Sequence, residues 1–216
     1  MSEGLPPGMT AANGTFLYGE EEFGQVDMTV SHAEFSLYCD LENPGMLDLN
    51  LMIAATPQEA AIPEDPEEMH LLDPAITVQW LTISADRLNG RALDALDGFS
   101  ERFKATGALD EQPPAAIECG FYGMVTEMDL GLARRDGCYR LALRATDEMD
   151  RKVDIDALIA PFDVSIRAED GTSDPAAEAW LATHFDTDLM DRGWQVRGSG
   201  DHTWQVLEAR FKETKQ

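Results

Sequence analysis

Lysine is nearly missing from this chain: Lys104, Lys152, Lys212 and Lys215 are the only ones in 216 residues. Basic residues number 16 against 41 acidic ones, a formal net charge of -25. A field of that sign repels nucleic-acid phosphates and anionic membranes, so neither is an expected partner. Cysteine is also scarce. Cys39, Cys119 and Cys138 form an odd set without CxxC or Cys/His zinc spacing, which reads as reduced thiols rather than a disulfide framework or metal site. No run approaches the roughly 18 apolar residues of a membrane helix. Residues 1–15 lack the basic start and apolar centre of a signal peptide. The expected location is the cytoplasm.

Enzymatic signatures are missing too. There is no GxSxG, HExxH, GxxxxGK[ST] or GxGxxG, so no catalytic residue and no cofactor is assigned. Gly120-Phe121-Tyr122-Gly123 is a GxxG that says nothing alone. The acids Asp147, Glu148, Asp150, Asp154 and Asp156 do not follow the alternate-ligand, mid-loop glycine pattern of an EF-hand, and they read best as a solvated turn. His184 with Asp186 and Asp188 offers mixed ligands, but a histidine on an apolar stripe is more often a core residue, so no metal is expected.

What is present is a clear β pattern. Residues 124–146, MVTEMDLGLARRDGCYRLALRAT, alternate on both sides of Asp136-Gly137, the strongest short-range hairpin signal because a type I′ turn needs two positive φ angles. Pairing Arg135 with Cys138 sets Leu132 opposite Leu141, Leu130 opposite Leu143 and Met128 opposite Ala145. Asp129 meets Arg144 on the other face, and a one-residue slip would scramble both. Residues 26–41 read as a second hairpin turning at Ser31 to Glu34, with Cys39 on its apolar side. Strands are expected at 46–55, 76–84, 153–160 and 162–168, and a third hairpin at 193–211. Helices are expected over 91–104, from the stripe Leu93, Leu96, Phe99 and Phe103, and from Asp174-Pro175, with Asp174 as N-cap. Residues 56–73, with three prolines and clustered acids, read as an exposed loop.

The expected fold is therefore α+β, mainly antiparallel sheet with a few helices. It consists of a flexible tail (1–14) and a single compact domain (15–216). The two parts of that domain, 15–105 and 115–216, run in a similar order, and LDLNLMIA at Leu47 to Ala54 matches VDIDALIA at Val153 to Ala160. Two similar β-β-β-β-α halves would follow from a duplication. Each half resembles the subunit of the type III secretion chaperones, through the strand–turn–strand–LxLxLxIA run at Val26 to Ala54 and the segment RALDALDGFSERF at Arg91 to Phe103. That resemblance implies a binding function: holding a partly unfolded protein segment.

Two functional readings stand. In the first, a non-catalytic protein binds a basic or amphipathic protein, chaperone-like or toxin-neutralising, through Glu59, Glu64, Asp65, Glu67, Glu68, Asp147, Glu148 and Asp150. In the second, a small ligand or substrate occupies a pocket between sheet and helices near Trp80, Tyr122 and Trp180. An exposed apolar patch rimmed by carboxylates would favour the first; an apolar pocket with convergent polar groups would favour the second. The acidity also fits a plain solvated or salt-adapted surface. Oligomeric state is not legible.

Overall fold

A computed structural model describes residues 10–63, 65–107, 112–168, 175–199 and 202–212. Along the chain the strands are β1 (Thr10–Ala11), β2 (Asn13–Glu20), β3 (Gly24–Asp40), β4 (Met46–Ala55), β5 (Gln58–Ile62), β6 (Asp65–Leu72), β7 (Ala75–Ser84), β8 (Ser100–Lys104), β9 (Ala115–Cys119), β10 (Phe121–Arg135), β11 (Cys138–Asp147), β12 (Lys152–Ile159), β13 (Asp163–Arg167), β14 (Met190–Ser199) and β15 (His202–Phe211). Among the described residues the one α-helix is α1 (Pro175–His184).

Eight strands close into an antiparallel barrel in the order β3-β2-β12-β11-β10-β9-β7-β4, with β4 returning to β3. An eight-stranded barrel is just wide enough for its own side chains to fill, and here the inward positions are apolar. Phe16, Leu49, Ile53, Val78, Ile117, Leu143 and Ile155 are all buried. The Asp136-Gly137 hairpin supplies β10 and β11. Arg135 pairs with Cys138, Leu132 with Leu141 and Leu130 with Leu143, and φ is +46° at Asp136 and +89° at Gly137. On the outside, Arg140 pairs with Asp156, Arg144 with Asp154 at 2.9 Å, and Arg102 with Asp129 at 2.5 Å. This charged outer wall is the reverse of the apolar band that a membrane barrel presents to lipid. Among the described residues no helix is long and apolar enough to cross a membrane.

The α+β expectation is overturned: this is an all-β fold. Residues 91–104 are not a helix. They make a run of turns through 98 and then β8, which pairs with β10 from Gly131 to Glu127. The reason is tertiary. Tyr139 Oη donates to the Leu93 carbonyl at 2.5 Å and accepts from the Leu96 amide at 3.1 Å, so backbone groups a helix would use are taken from across the barrel. Gly98 takes φ +73°, and the unfilled edge of β10 draws 100–104 into its ladder. Helix spacing put Leu96 and Phe99 inside correctly, by another conformation.

Residues 26–41 are not a hairpin but part of one 17-residue strand, β3. Its buried phase slips from Met28 and Val30 to Ala33, Phe35 and Leu37, at a β-bulge opposite Ala54–Ala55. A bulge inserts one residue and flips the alternation, which in sequence imitates a turn. The expected loop at 56–73 is an ordered hairpin, β5–β6. The two β-β-β-β-α halves also fall. Among the described residues the first half has no α-helix, and β4 lies between β3 and β7 while β12 lies between β11 and β2. Two features that carry the chaperone resemblance, the first hairpin and the 91–103 segment, thus take other forms.

The second half of β3 pairs with β4 on one edge, closing the barrel, and in parallel with β13 on the other; β13 continues through β15 to β14 as a wing. At the barrel end where the β10–β11 turn lies, Phe162 meets Phe35, Phe185 and Phe211 edge-on or tilted at 5.4–5.9 Å. Trp180 of α1 donates to the Pro44 carbonyl at 2.7 Å. This aromatic end is plugged. The expected N-cap Asp174 lies outside the described residues.

Candidate functional site

The opposite end of the barrel is built from four connections: the β2–β3 turn, the β5–β6 hairpin inserted between β4 and β7, the β9–β10 turn at Gly120, and the β11–β12 turn at 148–151. Strand directions in an antiparallel barrel force this gathering. Gly19 pairs with Lys152, Val125 with Asp147, and Glu118 with both Tyr122 and Ala75.

Beneath these connections Asp147 and Arg151, each 1% exposed, form a buried ion pair. Arg151 Nε donates to Asp147 Oδ2 at 2.7 Å. Its Nη1 and Nη2 donate to the carbonyls of Phe121 and Ile117 at 3.0 and 2.9 Å. Asp147 Oδ1 accepts the amides of Met149 and Arg151, both at 2.9 Å. Burial works against the Arg151 charge, yet the hydrogen bond to Asp147 and its charge hold the guanidinium above its ordinary pKa. Tyr18 donates to Glu20 at 2.5 Å. Burial, with Glu20 and Cys119 nearby, pushes its phenol far up, so it stays a donor. No buried side-chain polar atom among the described residues lacks a partner. The network is a closed structural floor with no group aimed at a substrate.

Above this floor the connections expose both apolar side chains and carboxylates. Met69, Leu71, Phe121, Tyr122 and Met149 are exposed, Phe121 by 73% and Leu71 by 68%. Phe23 of the β2–β3 turn meets His70 of β6 edge-on at 5.6 Å, which joins two of the four connections. Glu21, Glu22, Glu118, Glu148 and Asp150 are exposed beside them. From this end a concavity of about 810 Å³ runs down the outer wall, lined by Glu20, Glu21, Asp129, Asp150 and Asp154 with Arg144 and Lys152 as its basic members.

The sequence-derived residues distribute as follows. Glu59, Asp65, Glu67 and Glu68 sit exposed on β5–β6; Glu64 lies outside the described residues. Glu148 and Asp150 are exposed at the same end, so the fold brings the two acidic clusters to one face. Asp147 does not join them, being consumed by Arg151; the expected solvated turn is solvated only in part. Tyr122 is at this end, Trp180 is at the aromatic end, and the side chain of Trp80 on β7 lies outside the described set. The expected pocket among them is not assembled. Among the described residues no group of three or more His, Cys, Asp or Glu could hold a metal. His184 stacks on Trp180 at 4.2 Å instead.

The chain matches no family model, no curated protein and no solved structure.

The site's character therefore rests on its own geometry. Sequence reading named Tyr122, for a pocket, but missed Met69, Leu71, Phe121 and Met149. Their signal was present: Met69 and Leu71 alternate within an acidic stretch, and Met149 stands between acids in a turn, where burial cannot account for it.

Proposed function

We propose that the chain is a non-catalytic binding protein that takes a basic or amphipathic polypeptide at its acidic end, in the manner of a chaperone or a toxin-neutralising protein. The observation that carries this is that Met69, Leu71, Phe121 and Met149 are all exposed on the connections at one barrel end, which also carry exposed carboxylates. Contiguous exposed apolar surface with a polar rim is characteristic of protein interaction sites. The acid would speed encounter with a cation-rich partner, while the exposed apolar side chains would slow its release. The pocket reading has less support, because the barrel interior is filled by its own side chains and Tyr122 and Trp180 lie at opposite ends.

The test is association kinetics with a synthetic amphipathic peptide rich in Lys and Leu, beside a control carrying Glu for Lys. Binding of the basic peptide alone, with an on-rate that falls as salt rises, is expected. Neutralising Glu59, Asp65, Glu67 and Glu68 together should lower the on-rate, and Phe121→Ser should raise the off-rate. Equal binding of both peptides, or none, overturns the proposal.

A further inference from the structure

A different surface is left open by the wing. Among the described residues β14 is the terminal strand of the large sheet and has β15 as its neighbour on one side only. Its pairing with β15 is continuous from Met190↔Phe211 to Ser199↔His202, without a bulge. A long, regular edge presents a row of backbone donors and acceptors to any added strand, and proteins usually blunt such edges with proline, lysine, bulges or short length. β14 has no proline, no lysine and no bulge. By contrast β8, also with one neighbour, is five residues long and carries Arg102 and Lys104.

The residues along β14 are complementary to themselves. Antiparallel pairing with a second copy about a twofold axis at Trp194 sets residue 191 opposite 197, 192 opposite 196 and 193 opposite 195. Asp191 then faces Arg197 of the second copy, twice by symmetry, and opposite charges directly across a ladder are favourable where like charges are not. On the other face the stem of Arg192 covers Val196, which is 66% exposed in the single chain, and the half-buried Trp194 meets its own copy. Arg192 is anchored by Glu178 of α1 at 3.0 Å, and Arg197 by Glu208 on β15. Both are therefore held in place rather than free to guard the edge.

We propose that two copies of this chain pair edge to edge through β14, antiparallel about Trp194, so that the two wings form one continuous sheet. The contact is isologous and closes on itself. It is independent of the acidic end and of what binds there. Each copy carries -25, so long-range repulsion opposes association and salt screens it. Dimerisation should therefore strengthen as salt rises, the opposite sign to binding of a basic peptide at the acidic end.

The experiment is sedimentation equilibrium of the full chain over a concentration series at low and high salt, with circular dichroism to check each variant's fold. Wild type should show a monomer–dimer equilibrium shifted to dimer by salt. Asp191→Arg and Arg197→Asp should each weaken it roughly tenfold or more, by setting like charges opposite one another. The double swap D191R/R197D should restore it. As a check independent of charge, oxidised Trp194→Cys should cross-link to its own copy, since opposed Cα atoms lie about 4.5–5.5 Å apart and a disulfide spans about 4.4–6.8 Å. A wild-type chain that stays monomeric, folded single variants that dimerise undiminished, a folded swap that fails to restore dimer, or a Trp194→Cys chain that does not cross-link overturns the proposal.

Discussion

Arg151 and Asp147 face each other at 2.7 Å with neither reachable by solvent, four residues apart across the β11–β12 turn. Removing one partner of such a pair strands the other's charge, which typically costs about 3–5 kcal/mol. Asp147→Asn and Arg151→Met are therefore expected to lower stability by that amount, read as the shift in the urea midpoint. Little change in either would mean the turn relaxes into water.

Gly123 is required by the same pair. A Cβ there would collide with Asp147 Oδ2 and Arg151 Nη2, and would stand 2.7 Å from Met149 Cε. Gly123→Ala should cost about 1–3 kcal/mol, the usual range for overpacking a filled site. Because it pushes on the floor of the acidic end, it should also slow peptide association, measured in the same kinetic assay.

The β10–β11 face gives a third expectation. Leu141→Ala, at a fully buried inward position of the barrel, should destabilise by about 2–5 kcal/mol. Leu158→Ala, on the outward face of β12, should change stability by no more than about 0.5 kcal/mol. Denaturant melts of the two variants decide it, and equal losses would contradict the inward–outward assignment.

Alkaline pH should unfold the chain through its buried acids. Burial, with Asp40 and Asp48 nearby, pushes the Cys39 thiol from 9.0 up to about 12; burial likewise takes Tyr139 from 10.0 to about 12. A raised folded-state value means that the unfolded chain releases its proton first. Stability is then full below pH 9, falls as pH rises from 9 toward 12, and changes little from these groups beyond that. Cys39→Ala should flatten the first part of that fall, with Tyr139 still contributing above pH 10. Stability measured against pH checks the sign; a rise above pH 9 would refute it.

The parts of the fold legible in the sequence were those where alternation ran unbroken. Residues 124–146 gave register, turn and buried face together, because period two and Asp-Gly chemistry agree. What was hidden were the bulges. At Ser31 in β3, and again at Gln79–Trp80 in β7, the buried phase slips by one, and a phase slip looks in sequence like the end of an element. The 91–104 segment misled for another reason. Its apolar spacing was real, but the open edge of β10 and the Tyr139 hydroxyl lie more than twenty residues away in the chain and outweigh local helix preference. For the acidic end, the charges could be read and their convergence could not, since that follows only from closure.

Closure also sets an order of events during synthesis. β2, near the start of the chain, completes the barrel by pairing with β12, so the seam cannot form until the ribosome has released residues through Ile159. Until then β2 is the open edge of a sheet that runs through β3 to β4, with Phe16 and Tyr18 lacking their β12 neighbours. Such distant pairing makes for slow folding and a sticky nascent chain. The heavy negative charge bears on that stage too: like charge repels, and so opposes contact between half-made copies on neighbouring ribosomes.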